Sequence, residues 1–325
     1  MSTKNDILAV LESERERFVS GQELAEKLNI SRTAVWKAVK SLEESGHRIL
    51  AVTNKGYRLD PESNLLSEEG VRVNLFQKYK SCPIMVLGTT DSTNTQAKKL
   101  AADGAKHGTL ILAEEQTAGR GRYGKSFFSP HGAGLYMSVI LKPVLGMAES
   151  QMITIAAAVA VCRAIEKLTD KKPQIKWVND VYLDCKKVCG ILTEAVTDFE
   201  SGVIESIIVG VGVDCSIKEE SLPPELRGIV GSLGDGEVSR NRLAAEIYSG
   251  ILDGFDTLGS EIIIDEYRKR SLMFGKDICF MRGIEQLNAS VTGISDSGAL
   301  IVRLESGEDT ELQSGEVAII NLSAG

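Results

Sequence analysis

The sequence predicts an α+β chain of several domains: a small helical unit closed by a hairpin, a central mixed α/β domain with one sheet, and a short β-barrel tail. Three observations carry this. Residues 1–60 show apolar residues at helical spacing and then a strand–turn–strand pattern. Residues 82–271 alternate strand and helix patterns. Residues 272–322 hold only short β runs parted by glycine and serine turns. With 325 residues and 43% apolar content, the chain can bury two or three cores and is neither disordered nor fibrous.

The first helix carries Ile7, Leu8 and Leu11 on one face. The capping box Ser20-Gly21-Gln22-Glu23 opens the second, where Leu24, Ala25 and Leu28 keep helical spacing. Asn29-Ile30 makes a short turn. Ser31 caps a third helix whose Ala34, Val35, Ala38, Val39 and Leu42 form an apolar stripe, and Gly46 stops it. Arg48–Val52 and Tyr57–Leu59 read as paired strands around the turn Thr53-Asn54-Lys55-Gly56. That order is a winged helix-turn-helix, whose third helix enters the DNA major groove.

Charge agrees once it is resolved along the chain. The net −8 argues against nucleic acid, but residues 1–65 carry 10 cations and 10 acids, and the rest carries 27 against 35. Residues 31–58 hold six cations (Arg32, Lys37, Lys40, Arg48, Lys55 and Arg58) against Glu43 and Glu44. A small interaction module with a solvated basic face is the alternative. DNA binding is favoured because Arg32, Thr33, Trp36, Lys37 and Lys40 ride the third helix and Lys55 the wing. Trp36 either faces DNA or packs on the first helix.

Asp60-Pro61-Glu62-Ser63-Asn64 is a polar boundary, so the domains are 1–63, 64–271 and 272–325. A helix near 67–78 continues the connection. Strands are predicted at 83–88, 109–115, 134–142, 174–178, 188–197 and 203–213, and helices at 92–103, 149–168 and 240–258. The tail strands are Asp277–Met281, Ala289–Ser295, Leu300–Leu304 and Ala318–Asn321. Six scattered cysteines complete no zinc set and read as reduced cytosolic thiols. No secretion signal is apparent. The longest aliphatic run, Met152–Cys162, is far short of the ~20 residues that span a bilayer. The expectation is a cytoplasmic protein with no membrane partner.

Three central segments carry chemistry. Gly119-Arg120-Gly121-Arg122-Tyr123-Gly124-Lys125 packs three glycines and three cations into seven residues. Glycine lets backbone approach a ligand, and arginine offers forked donors to carboxylate or phosphate. The stretch matches G-x-G-x-x-G, but that dinucleotide fingerprint needs a helix opening at the glycines. Ser126-Phe127-Phe128-Ser129-Pro130 follows instead. A cationic loop folded over an anion is the better reading, and a solvated basic turn the plain one. Such a loop has little to order it and is expected to be mobile before ligand arrives. Gln116, just upstream, donates and accepts, as a urea-like ligand requires.

Asp91-Ser92-Thr93-Asn94 follows the strand ending at Gly88. Its side chains either cap the next helix or hold a polar ligand group at that N-terminus. Lys176-Trp177-Val178-Asn179-Asp180 ends another strand. Lys176 is either an edge residue with a snorkelling head or a cation aimed into a cleft. Asn179-Asp180 could be a turn and nothing more. Lys187 leads into Val188-Cys189-Gly190-Ile191-Leu192, where Gly190 permits close ligand approach.

Together these segments resemble the biotin–protein ligases, and essentially the whole chain resembles the bifunctional kind that also represses the biotin operon. Gly119 to Pro130 follows a family pattern near G-R-G-R-x-G-R-x-W-x-S-P, and Lys176 to Asp180 follows K-W-P-N-D. Ser92-Thr93-Asn94 and Gly190-Ile191-Leu192 are similar to further family segments. Phe127 stands for the usual Trp over the adenine side. Val178 stands for Pro, which should loosen the turn. Asp214, after Gly210-Val211-Gly212-Val213, stands for Asn and bears on a local hydrogen-bond network.

The resemblance implies a central domain of the biotin/lipoate ligase type and an SH3-like barrel. It implies that biotin and ATP give biotinyl-5′-adenylate, whose acyl group passes to a lysine of the biotin carboxyl carrier protein. The biotin site would comprise Ser92, Thr93, Asn94, Gln116, Gly119, Arg120, Arg122, Lys176 and Gly190. Arg120, Arg122, Phe127, Lys176 and Asn179 would surround ATP, with Mg²⁺ on the phosphates and no metal-ligating residues from the chain. Arg120, Arg122 and Lys176 would be catalytic. The adenylate-bound form would be a homodimer, paired through a sheet edge and seated on operator DNA, and the carrier would compete for that edge. Two other readings stay open: a non-catalytic winged-helix sensor of a small acid, and a lipoate-type ligase.

Overall fold

Serine hydroxyls start each N-terminal helix. Ser2, Ser20 and Ser31 accept the N–H groups of Asn5, Glu23 and Ala34 and so open α1 (Thr3–Ser13), α2 (Gly21–Leu28) and α3 (Arg32–Glu44). These elements come from a computed structural model that describes residues 2–142, 150–197, 203–234 and 238–320. Ile7, Leu11, Leu24, Val35, Val39 and Leu42 bury into a core of their own. β1 (Ile49–Val52) and β2 (Gly56–Leu59) form the antiparallel wing. A Cβ on Gly56 would lie 2.2 Å from the Val19 carbonyl oxygen, so only glycine closes the wing's base.

Trp36 does not pack on α1. It is 54% exposed and shares the outer face of α3 with Arg32, Thr33, Lys37 and Lys40. Lys55 is exposed at the wing turn. The other two cations of the basic run are engaged elsewhere: Arg48 pairs with Glu62 at 2.8 Å, and Arg58 stacks 4.8 Å from the Phe18 ring centroid.

After α4 (Glu68–Asn74) and a 3-10 turn at Gln77–Tyr79, the chain builds one seven-stranded sheet. Its strands are β3 (Ile84–Thr90), β4 (Thr109–Gln116), β5 (Gly134–Leu141), β6 (Gln174–Lys176), β7 (Asp180–Leu183), β8 (Lys186–Thr197) and β9 (Ile204–Asp214). They lie in the order β3-β4-β5-β9-β8-β7-β6, parallel at β3–β4 and antiparallel elsewhere. One face is covered by α6 (Ser150–Leu168), α7 (Arg240–Asp256) and α8 (Glu261–Arg270), and it holds the main core.

Among the described residues the opposite face carries one helix, α5 (Thr93–Ala102), packed through Ala97 and Ala101 on Ile111, Ile140 and Ile208. Alternation then decides what lies beyond the helix. Along β9, Ile208, Gly210, Gly212 and Asp214 share that face, so the sheet passes from a packed aliphatic floor to bare glycine.

The tail is a five-stranded antiparallel sheet, ordered β13-β12-β11-β10-β14. Its strands are β10 (Asp277–Arg282), β11 (Glu285–Ile294), β12 (Leu300–Leu304), β13 (Asp309–Leu312) and β14 (Val317–Ile319). Ile278, Phe280, Val291, Leu300 and Val317 belong to the same buried cluster as the large sheet, so the tail shares the central core.

Three elements go beyond the sequence prediction. α8 contains Ile262-Ile263-Ile264, a β-branched run that hides its helical face. β7 begins inside the Asn179-Asp180 turn signal, and β13 is mostly polar. Residue 149 of the predicted helix and Asn321 of the last predicted strand lie outside the described residues. No helix among the described residues is long and apolar enough to cross a membrane.

A buried polar network ties the first unit to the sheet. Arg240 at the start of α7 donates to Glu114 of β4 at 2.8 Å, to the Gly134 carbonyl at 3.0 Å and to the Asn64 carbonyl at 2.9 Å. Glu114 also accepts the Leu66 N–H at 2.6 Å. Next to it, the Asn241 amide donates to Glu12 of α1 at 3.1 Å and accepts the Ser67 N–H at 3.0 Å.

Candidate active site

The glycine-floored part of the sheet opens into a cavity of about 560 Å³. Gly190, Gly210 and Gly212 form its floor. A Cβ on Gly210 would lie 2.2 Å from Asn94 Oδ1, and one on Gly212 would lie 2.5 Å from the Phe127 ring. The Phe127 ring thus lies on Gly212 and Gly190, edge-on to Tyr136 with centroids 6.5 Å apart. Side chains at Gly210 and Gly212 would displace Asn94 and Phe127, which line the cavity.

One end is polar. Ser92 occupies the N-cap position of α5, yet its side chain makes no capping bond; the hydroxyl is left to the cavity it lines. Thr93 lies beside it. Gln116 Oε1 accepts from the Thr93 N–H at 2.8 Å, and Gln116 Nε2 donates to Ser129 Oγ at 2.9 Å. The Asn94 amide donates to Glu194 at 2.8 Å and to the Leu192 carbonyl at 3.2 Å. Asp91 holds this turn together. Bonds from Gln96 and from the Ser92 N–H keep its carboxyl below the usual range.

The other end is cationic. The loop is a tight hairpin. Phe127 N–H bonds the Gly119 carbonyl at 2.9 Å, Gly121 N–H bonds the Lys125 carbonyl at 2.7 Å, and Tyr123 and Gly124 turn it with φ of 54° and 75°. Lys125 pairs with Glu316 of the tail; both side chains are more than half exposed, so the pair adds little. Gly119 is needed at the hairpin's base, because a Cβ there would lie 2.4 Å from the Phe127 carbonyl oxygen.

Arg120 donates to Thr95 at 2.6 Å and Arg122 to Asn179 at 3.1 Å. Asn179 in turn donates to the Ile191 carbonyl at 2.9 Å, so the amide that meets Arg122 is itself held. Lys176 ends β6 half-buried. Burial lowers the pKa of its ammonium, while Asp180 acts in the opposite sense. Asp180 itself pairs with Lys187 at 2.7 Å. Arg120, Arg122 and Lys176 all line the one cavity. Three cations facing one space suit the joining of a carboxylate to a phosphate, two anions that otherwise repel.

The turn after Lys176 is firmly held despite Val178. Tyr267 donates to the Val178 carbonyl at 3.1 Å and Ile191 N–H to that of Asn179 at 2.9 Å. Asp214 closes the floor. It is 3% exposed, and burial pushes its carboxyl well above the ordinary range. Lys187, Ser138 and the apolar wall of Ile217, Leu222 and Leu226 also line the site or support it, and motif reading did not single them out as site residues. The pair Gly210 and Gly212, spaced for one strand face beside Gly190, was the available signal.

Fold and site define a small-acid-activating ligase domain joined to a winged helix-turn-helix. Residues 86–214 match the biotin/lipoate A/B protein ligase family, and residues 3–58 match an HTH domain. The chain is 36% identical over 230 residues to the bifunctional ligase/repressor BirA of Bacillus subtilis, covering 71% of this chain and 70% of that one. It is 28% identical over 306 residues to the bifunctional ligase/repressor BirA of Escherichia coli, covering 93% of each. The fold is shared with the biotin protein ligase from Aquifex aeolicus solved in complex with biotin and ATP. That match has a TM-score of 0.62 and 24% identity and covers 73% of this chain and 97% of that one. The chain belongs to the biotin/lipoate A/B protein ligase family, among the bifunctional ligase/repressors that carry an N-terminal HTH domain.

Proposed function

We propose that this protein is an ATP-dependent biotin–protein ligase that also acts as a biotin-responsive transcriptional repressor. The carrying observation is that the Thr93–Gln116 pair and the cations Arg120, Arg122 and Lys176 open into one cavity. Ser92, Thr93 and Gln116 take the ureido ring of biotin, with Asn94, Gly119 and Gly190 shaping the slot. The biotin carboxylate attacks the α-phosphorus of ATP, the α–β phosphoanhydride bond breaks and pyrophosphate leaves. Arg120, Arg122 and Lys176 neutralise the meeting oxyanions, and Phe127 and Asn179 complete the nucleotide side. A lysine of the biotin carboxyl carrier protein then attacks the acyl carbon. AMP leaves, and the amine proton passes to solvent.

Among the described residues no group of three His, Cys, Asp or Glu forms a metal site. Mg²⁺, on this reading, would sit chiefly on phosphate oxygens and water. Bound, it neutralises phosphate charge. The domains divide at 63/64 and 271/272. Reaction and repression take place in the cytoplasm. The adenylate-bound protein pairs through an edge of the seven-stranded sheet and sets two α3 helices on operator DNA, and the carrier competes for that edge.

Incubation with biotin, ATP and labelled pyrophosphate tests the enzyme. Biotin-dependent exchange into ATP is expected. Lipoate-dependent exchange in its place would assign a lipoate-type ligase, and no exchange a non-catalytic sensor. For the DNA face, Lys37→Ala with Lys40→Ala is expected to weaken operator binding and to flatten the slope of log K against log salt by about 1–2, leaving ligation unchanged. A gel-shift salt series with an unaltered slope would take α3 off the phosphates.

A further inference from the structure

The chain passes from the winged helix to the ligase domain across a single peptide bond. Ser63 is held by the first unit: its carbonyl accepts from Arg15 at 3.0 Å, its hydroxyl from the Arg48 N–H at 3.3 Å, and its N–H bonds the Asp60 carbonyl at 2.8 Å. Asn64 is held by the ligase domain: its side chain takes the Arg240 N–H at 2.7 Å and donates to the Val238 carbonyl at 2.9 Å. The next three residues stay there. The Leu65 carbonyl accepts from Asn241, the Leu66 N–H goes to Glu114 and the Ser67 N–H to Asn241. The polar boundary is thus a hinge with both sides anchored, not a flexible tether.

Directional bonds are left to set the angle at that hinge. α1 lies beside α4, yet Ile7, Leu11, Leu24 and Val35 cluster apart from the main core, which the tail sheet does share. Among the described residues, one hydrogen bond crosses from the body of the first unit to the ligase domain: Asn241 Nδ2, in the first turn of α7, donates to Glu12 Oε1 of α1 at 3.1 Å. Both partners are buried and fixed. Asn241 gives its other N–H to the Leu65 carbonyl at 3.0 Å and takes the Ser67 N–H on Oδ1. A Cβ on Gly70 would lie 2.3 Å from the same nitrogen, so glycine lets α4 close over the amide. Arg15 grips both carboxylate oxygens of Glu12, at 2.7 and 3.1 Å. In any swung orientation the Asn241 N–H loses its charged acceptor.

We propose that Glu12 and Asn241 latch the winged helix at one angle on the ligase domain, and that this angle sets the half-site separation which the adenylate-bound dimer accepts. They are positioning residues, buried away from the DNA face. The proposal rests on the dimeric-repressor reading. A free five-residue tether would let each α3 wander by about 12 Å, the length of roughly three base pairs. A hinge closed by a latch does not. One added base pair moves a half-site by about 3.4 Å and turns it by about 35°.

The test is a spacing series on the full chain with biotin and ATP. The probe is a palindromic duplex that the wild type selects from a random-sequence library. It is then remade with one base pair inserted or removed between its half-sites. That change is expected to weaken wild-type binding about tenfold or more. Glu12→Ala cuts the latch and is expected to reduce the penalty to about threefold or less, with biotin-dependent pyrophosphate exchange unchanged. Glu12→Gln keeps an acceptor oxygen for Asn241 and is expected to keep the wild-type penalty. A merely weakened fold lowers affinity at every spacing alike and leaves the ratio unmoved. Should the alanine variant unfold, Glu12→Met fills the site without an acceptor and carries the same expectation.

A wild type that accepts the added base pair within about threefold overturns the inference, as does an undiminished penalty in folded Glu12→Ala or Glu12→Met. If the wild type selects no duplex in a biotin-dependent way, the repressor reading itself fails and the latch falls with it.

Discussion

Replacing Lys176 with alanine is expected to slow adenylation by about 10²–10³-fold, or roughly 2.7–4 kcal/mol of transition-state stabilisation, while biotin still binds. The lysine ends β6, opposite Asp180 in the ladder, and lines the cavity with Arg120 and Arg122. Its pairing with β7 sets where the Lys176 backbone sits, and the side chain enters the cavity from there. Pyrophosphate exchange beside calorimetric biotin binding separates the two effects. Wild-type turnover in Lys176→Ala would remove the residue from the mechanism.

The same residue sets a pH limb. Burial lowers the pKa of the Lys176 ammonium. The catalytic cation exists below that lowered pKa and is lost as pH rises through it. Adenylation is expected to decline on the alkaline side at a pH below that of an exposed lysine. Lys176→Arg, which stays charged throughout, is expected to abolish the limb, whatever its rate. An identical limb in the arginine variant would assign it elsewhere.

Arg240→Ala is expected to destabilise the fold by about 3–5 kcal/mol, the cost of leaving one partner of a buried ion pair alone. The side chains of Arg240 and Glu114 are 4% and 5% exposed, so water cannot replace the lost guanidinium. The damage extends beyond the pair. Arg240 also bonds the carbonyls of Asn64 and Gly134, and Glu114 lies two residues before Gln116 on β4. Loss of the arginine therefore loosens both the attachment of the first unit and the strand that carries a ligand contact. A fall in melting temperature on the order of 10 °C is expected. Arg240→Met with Glu114→Leu is expected to recover much of it, since an apolar pair leaves no buried charge. A melting temperature within about 2 °C of wild type in Arg240→Ala would show that the network holds little.

Local rules made much of the molecule readable. Ser20 and Ser31 cap the helices they were read to cap, because a hydroxyl one turn from a free N–H meets it through local geometry alone. The outward face of α3 followed from its apolar stripe. Arg120 and Arg122 were legible as residue types, since glycine and forked cations in one short run have few other uses. The hairpin form of that run was not legible. Its register rests on the Phe127 N–H meeting the Gly119 carbonyl and the Gly121 N–H meeting that of Lys125. α8 and β7 were hidden because isoleucine runs and Asn-Asp pairs carry local preferences that packing overrides.

By itself the sequence determined the serine helix caps, the apolar and outward faces of α3 and the residue types of the cationic loop, because caps, periodicity and charge are properties of neighbouring residues. Tertiary structure alone decided where those cations point, that Gly190, Gly210 and Gly212 form one floor, and that Asn179 meets Arg122. Each of these depends on strands brought side by side from distant parts of the chain. Contact across a sheet is set by register and by the pairing of buried polar groups, and neither is written in any one segment.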